Sequence, residues 1–300
     1  MEESPEYLEM KIALFPELGS LNSQPVFAAL IKHLQSKGEK IVLNKYDNTC
    51  DVAVIWSVLW QGRMAGNKKV WDDFRSQGKP VVVLEVGGLL RNTTWKMGIN
   101  GINRDADFAN QSYDDKRWPL FKLELKPWQK TGNVIVICGQ HHTSEQWKGL
   151  PQPKNWCEQR IKEIRKYCDK PIVIRPHPRN VFDFDETKYP HVRVNLPKKD
   201  YSTYDDTDFK KVLRSTWAVV NHSSNPAIES ILNGIPVFVS ESSLCYDVGN
   251  HTLADIAQPA QPNRVNWAHQ LAYTEWTTEE IGLGLPWKRL RERLLEKYIK

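Results

Sequence analysis

Residues 221–239, NHSSNPAIESILNGIPVFV, hold the densest set of groups suited to binding an anion. The apolar run WAVV, at 217–220, delivers the chain to His222, Ser223 and Ser224. A helix is expected to start near Asn225 or Pro226, because proline suits the first helical position and Ser or Asn caps it. The free backbone N–H groups at such a start, together with the helix dipole, attract negative charge. The hydroxyls of Ser223 and Ser224 add hydrogen bonds suited to phosphate. Glu229 lies one turn further in, where a carboxylate can accept from both hydroxyls of a ribose. Gly234 then ends the helix and Pro236 opens the next strand. The plainer alternative is that residues 223–225 only cap the helix.

A second group is RPHPR, residues 175–179, directly after the apolar run PIVI. Two prolines stiffen this turn and hold His177 outward. Arg175, His177 and Arg179 suit a phosphate or a base edge; the alternative is a rigid surface turn with incidental basic residues. GQHHT, residues 139–143, follows VIVIC in the same manner. Gly139 allows the backbone to approach a phosphate closely, with Gln140 next to it. His141 and His142 are either ligands or solvent-facing histidines.

Such groups need strand ends to hold them, and the chain reads as alternating strands and helices. Short apolar runs at residues 11–15, 40–43, 51–56 and 80–84 are separated by helical patterns at 25–34 and 68–76. The theme repeats with strands at 134–138, 171–175, 192–194, 217–220 and 236–239. Helices are expected at 155–167, 206–214, 225–232, 263–272 and 287–300. Continuous apolar runs between helices indicate parallel sheets buried on both faces. The fold class is therefore α/β, with two Rossmann-like parallel-sheet domains facing a central cleft and ligands expected at the carboxyl ends of the strands. LKPWQKTGN, residues 125–133, reads as the boundary. This gives an N-terminal domain over 1–128, a C-terminal domain over 129–280, and a last helix over 281–300. Residues 85–107 are rich in Gly and Asn and read as a functional loop with short strands.

The pairing of a strand followed by His-Pro with a later Ser-Ser, Glu, Gly-x-Pro series resembles the donor half of GT-B glycosyltransferases. It is similar to capsule polysaccharide and sialic-acid or Kdo transferases, and non-hydrolysing nucleotide-sugar epimerases share a related layout. The resemblance covers roughly residues 133–245. It implies a GT-B-like fold, with 1–128 as an acceptor-binding domain, 129–280 as a nucleotide-sugar-binding domain and the last helix, 281–300, packing back on the first domain. It also implies His177 near the nucleotide, Ser223 and Ser224 at phosphate, and Glu229 at ribose. The glycine-rich form of the second motif is replaced here by serines, which leaves the donor nucleotide open. A UDP-sugar is favoured and a CMP-sugar is the alternative, as a co-substrate with no tightly bound cofactor and no metal. The stretches DFD (Asp183–Asp185) and Asp205–Asp206 read as solvated acidic segments.

Inverting transfer needs a base to take the acceptor proton. Glu85 is favoured, since it ends the strand PVVVL and precedes Gly87 and Gly88; Asp105, Asp107 and Glu17 are the other choices. Arg91, Trp95, Lys96 and Arg104 make the following loop basic with an interleaved aromatic, as a phosphodiester acceptor requires. The same stretch, RNTTWKMGINGINRDAD, is similar to segments of small phage-encoded proteins. That resemblance implies a hydroxymethylated pyrimidine in double-stranded DNA as acceptor, flipped out of the helix. A cell-surface glycan is the alternative, to which a basic amphipathic last helix is suited. An epimerase or hydrolase, and a non-catalytic binding module, are the competing classes.

Composition limits these readings without choosing among them. The 300 residues are 40% hydrophobic and 26% charged, an ordinary globular balance. The net charge of +5 admits an anionic partner. Five scattered cysteines form no C-x-x-C pair, so neither a zinc knuckle nor a disulfide framework is implied. No apolar run approaches the ~20 residues that span a bilayer. The acidic start MEESPEYLEM is unlike a signal peptide, and a cytosolic protein is expected.

Overall fold

The computed structural model of the chain describes residues 9–198 and 207–299. It divides into two units, one built from Met1–Gly87, Asn92–Ser112 and Tyr273–Lys300, the other from Gly88–Arg91 and Tyr113–Ala272.

In the first unit β1 (Lys11–Leu14), α1 (Gln24–Ser36), β2 (Lys40–Leu43), β3 (Val52–Trp56), α2 (Asn67–Ser76) and β4 (Val81–Val86) follow the expected order. These four strands pair in parallel. Their apolar side chains alternate between two cores. Val52, Val54, Val82 and Leu84 face α1 residues such as Phe27 and Leu30, while Ala53, Ile55, Val81 and Val83 face Val70 and Phe74 of α2.

The stretch read as a functional loop with short strands holds one of them, β5 (Thr94–Ile99), antiparallel to β4 and buried along its length. Its alternation explains why: Trp95, Met97 and Ile99 enter the α1-side core, and Thr94, Lys96 and Gly98 take the other face. Strand propensity and burial thus outweighed the glycine and asparagine content on either side.

The second unit contains β6 (Val134–Cys138), α3 (Pro153–Ile164), β7 (Ile172–Arg175), β8 (Val192–Val194), α4 (Thr207–Leu213), β9 (Thr216–Asn221), α5 (Pro226–Leu232), β10 (Val237–Phe238) and α6 (Val265–Leu271). All its strands are parallel, in the order β10-β9-β6-β7-β8. Val136, Cys138 and Val219 pack with Ile228 and Ile231 of α5, while Ile135, Ile137 and Ile174 pack with Trp156 and Ile161 of α3. Each element lies within a few residues of its expected position, although Asp205 and Asp206 fall outside the described residues.

Residues 125–133, read as the boundary, are bound along this second unit. The Lys126 N–H donates to the Leu232 carbonyl at 3.0 Å, the Gln129 N–H to Gly234 at 2.8 Å and Trp128 Nε1 to Pro262 at 3.0 Å. The Arg264 guanidinium stacks 4.0 Å from the Trp128 ring centroid. The units divide at 112/113 and 272/273, with 88–91 also counted in the second unit, while the sequence suggested 128/129 and 280/281.

The chain then returns to the first unit through β11 (Glu275–Thr277), which pairs antiparallel with β5, followed by α7 (Thr278–Gly282) and α8 (Leu285–Lys297). The first sheet runs β11-β5-β4-β3-β1-β2. Trp287, Leu290 and Leu294 bring one face of α8 into the core that holds Met10 and Ile12. Burying side chains of this size contributes roughly 1.5–3 kcal/mol each. No helix among the described residues is long and apolar enough to cross a membrane.

Candidate functional site

In the second unit the motifs singled out from sequence converge. Strand β6 lies between β7 and β9, with Cys138 opposite both Arg175 and Asn221. The three chains that leave these neighbouring strand ends are GQHH, PHPR and HSSN, so the residues predicted to act together emerge side by side.

Gly139 is fixed by the approach of the next strand's turn. Its N–H donates to the Arg175 carbonyl at 2.8 Å, and a Cβ there would stand 3.3 Å from Pro176 Cα and 3.4 Å from the His177 nitrogen. The glycine therefore lets the RPHPR turn close over β6. Gln140 is buried, and its Oε1 accepts from both the N–H and the hydroxyl of Ser223 at 3.3 Å. Ser224 is held by Asn221, whose Oδ1 accepts from the Ser224 N–H at 2.9 Å and whose Nδ2 donates to the hydroxyl at 2.8 Å. The serine loop is thus organised by Gln140 and Asn221. The side-chain cap expected at the start of α5 is absent: Asn225 makes no capping bond, and the helix opens on Pro226.

Three histidines surround this loop, and their partners fix their tautomers. A backbone N–H can only donate and a backbone carbonyl can only accept. His177 Nδ1 accepts from the Arg179 N–H at 3.1 Å, and His141 Nδ1 accepts from the Thr143 N–H at 3.2 Å. Both neutral rings therefore carry their proton on Nε2. His222 donates from Nε2 to the Gln146 carbonyl at 3.0 Å and stands edge-on to Trp147. The His141 ring stacks on His142 at 5.2 Å and meets His177 edge-on at 5.3 Å. His142 Nδ1 bonds Asn180 Oδ1.

Burial, reinforced by the neighbouring His141, Arg179 and Arg91, pushes the His177 ring down to about 3. Burial also lowers His141, helped by His142 and Arg179. His141 Nε2 is buried without a hydrogen-bond partner; a main-chain group of Arg179 lies near enough to favour the charged ring but is not placed to complete the bond. The result is a pair of neutral N–H donors at neutral pH.

The other predicted donor residues differ in availability. The Arg175 guanidinium is buried and tied to Asn195 Oδ1 at 2.5 Å and Asp208 Oδ2 at 2.6 Å, so it anchors β7 to α4. Arg179 is exposed beside His177. Glu229 is buried on α5, accepting from Asn233 Nδ2 at 2.7 Å, with Lys210 Nζ at 3.7 Å. Asn221, His222 and Asn180 belong to the same cluster. Asn221 was legible as the residue where an apolar strand turns polar.

In the first unit the expected acceptor group does not form a basic loop. Trp95 is buried against Trp56 and donates from Nε1 to Thr278 Oγ1 at 3.0 Å, and Lys96 is 1% exposed. Their assignment as acceptor contacts is corrected by β5, which turns one into the core and the other onto the opposite face of the sheet. The register sets Lys96 between Glu85 and Glu275 on neighbouring strands, which places two acidic residues beside a buried lysine. Glu85 is half-buried at the end of β4, where its Oε2 accepts from Ser57 Oγ at 2.5 Å. Arg104 and Asp105 are exposed on the loop after β5, and Arg91 is an exposed residue of the second unit. Asp107 is a structural acid: Arg293 Nε donates to it at 2.7 Å and Lys297 Nζ lies at 3.5 Å. Burial works to raise its carboxyl, but the Arg293 bond prevails and holds it below the usual range.

No family model matches the chain, and no curated protein matches it. Among solved structures it is similar to the β-Kdo 2,4-transferase KpsC of Thermosulfurimonas dismutans, with a TM-score of 0.55 and 11% identity over 93% of this chain and 99% of that one. The β-Kdo 2,7-transferase KpsC of the same organism gives a TM-score of 0.53 and 14% identity over 94% of this chain and 99% of that one. At these identities the likeness is one of fold: two Rossmann-like units of the GT-B kind.

Proposed function

We propose that this chain is a glycosyltransferase whose nucleotide-sugar donor binds at the ends of β7, β6 and β9. The observation that carries this reading is the convergence of Gln140, His141, His177, Ser223 and Ser224 on three neighbouring strand ends. Parallel α/β sheets bind ligands at such ends. The fold shared with two Kdo transferases agrees with it.

Apart from the exposed Arg179 beside His177, the protons offered there are neutral. His177 presents an Nε2–H group and Ser224 a hydroxyl, while His141 Nε2 is buried behind them, the Ser223 hydroxyl bonds Gln140 and Arg175 is tied to Asp208. Neutral donors suit the single negative charge of a CMP-sugar phosphate better than the two charges of a UDP-sugar diphosphate. A CMP-sugar is therefore the favoured donor. In an inverting, metal-independent transfer the acceptor hydroxyl attacks the anomeric carbon and its proton passes to a carboxylate. The bond from the sugar to the phosphate breaks with its electron pair leaving on the nucleotide. Glu85, held by Ser57, is the favoured base, with Asp105 second.

The acceptor is a glycan hydroxyl. The DNA reading drew on four residues, and two of them, Trp95 and Lys96, are buried in a strand.

Calorimetry with CMP, UDP and GDP tests the donor. CMP is expected to bind tightest, and His177→Ala to weaken it at least about tenfold, the worth of a hydrogen bond to a charged group. Binding of none of the three, or unchanged affinity in the variant, refutes the site.

A further inference from the structure

The first unit holds a hollow of about 250 Å³ where β1 and β2 end. Its floor includes Phe15 and Val70, and its rim carries Glu17, Asn44, Tyr46 and Lys69. The volume falls below the ~300–1,000 Å³ of pockets for drug-sized ligands, so it matches one small ring.

The rim is built in advance. Edge-on contact with Phe74 at 5.9 Å, Lys69 Nζ 5.1 Å from its centroid and a bond from Gln77 Nε2 to its hydroxyl at 2.9 Å hold the Tyr46 ring, which remains 37% exposed. Asn44 sits at φ +52, a left-handed conformation that asparagine tolerates better than most residues. Its Oδ1 accepts from the Glu17 N–H at 3.0 Å, which leaves Nδ2 turned to other partners. Among the described residues no hydrogen bond or ion pair reaches the Glu17 carboxylate.

We propose that this hollow is a monosaccharide subsite that holds one ring of a saccharide acceptor. Tyr46 supplies a flat face for the C–H side of a sugar. The Glu17 carboxylate accepts from neighbouring hydroxyls, and Asn44 Nδ2 donates to a ring or hydroxyl oxygen. A phosphodiester is disfavoured, because Glu17 faces the opening without a cation bound to it and Lys69 is paired with Asp73 at 3.1 Å. Service as an acceptor subsite rests on the glycosyltransferase reading; sugar binding by the hollow does not.

Saturation-transfer NMR on the full chain tests it, with methyl α-glucoside, galactose, N-acetylglucosamine and thymidine as probes. At least one sugar is expected to bind in the millimolar range. Tyr46→Ala weakens it about tenfold, and the shape-preserving Glu17→Gln about fivefold, with thermal melts unchanged. CMP affinity, measured separately, stays at the wild-type value in both variants. Absence of sugar binding, sugar binding indifferent to both substitutions, or binding of thymidine alone overturns the subsite while leaving the donor site untouched. Loss of CMP binding by the wild type overturns the transferase reading and leaves the hollow to be judged by the sugars.

Discussion

Acid should weaken the second unit through His177. Free histidine titrates near 6.5, and the folded ring is held down at about 3 by burial and by His141, Arg179 and Arg91. The unfolded chain therefore binds a proton below about pH 6.5 that the folded chain refuses until about pH 3. Wherever the unfolded state holds more protons, stability falls as pH falls. At ~1.4 kcal/mol per unit, moving from pH 7.5 to pH 5.0 costs about 2 kcal/mol from this group. Solvent on the open side of the ring reduces this to about 1–2 kcal/mol. The figure is insensitive to how deep the depression runs, because at pH 5.0 any folded value below about 4 leaves the ring neutral. His141 and His222 are lowered in the same direction, so the test is a difference. His177→Gln and the wild type are compared by hydrogen exchange of the β6 and β7 amides, since a two-unit chain need not open in one step. The variant starts less stable at pH 7.5, and the gap should narrow by about 1–2 kcal/mol by pH 5.0. Parallel curves would refute the neutral-donor argument.

Three further outcomes follow from the packing. Gly234 and Gly38 share nearly the same backbone, φ +75 and +76, but a Cβ on Gly234 would strike the Pro127 carbonyl while one on Gly38 meets nothing within 4 Å. Gly38→Ala should lose about 1–2 kcal/mol and Gly234→Ala clearly more; equal melting shifts would show that the 126–129 segment yields freely. Lys96→Met leaves Glu85 and Glu275 facing each other across β5 and should cost about 3–5 kcal/mol, whereas exposed Arg104→Ala stays within about 0.5 kcal/mol; denaturation midpoints decide. Asp107→Asn removes the Arg293 and Lys297 ion pairs, and faster amide exchange confined to the last turns of α8 is the expected sign, with a loss of about 1–3 kcal/mol.

Most of the fold was legible because buried parallel strands declare themselves. VIVIC, PIVIR and WAVV needed no context, and their adjacency followed from parallel α/β rules. The grouping of GQHH, PHPR and HSSN at neighbouring strand ends was legible as well, since these residues follow those strands directly. The signs that went unread were of two kinds. TWKMGI alternates apolar and polar residues at period two, but the flanking glycines and asparagines made its short strand read as part of an exposed loop rather than as a buried one. Lys96 reads as a surface residue until Glu85 and Glu275 are brought to its sides, and Glu275 lies 179 positions away in a three-residue strand no pattern announces. Arg175 is likewise basic in sequence and committed to Asp208 in space.

The strand β11 also bears on how the chain is made. A ribosome releases residues 113–272 before β11, α7 and α8 exist, so the second unit can mature while the first still lacks its last strand and its closing helices. Until Trp276 and Trp287 emerge, Trp95, Met97 and Ile12 have an incomplete cover. A nascent chain stalled near residue 272 would offer that apolar surface to chaperones or to other copies, and the final thirty or so residues act as the latch that ends this exposure.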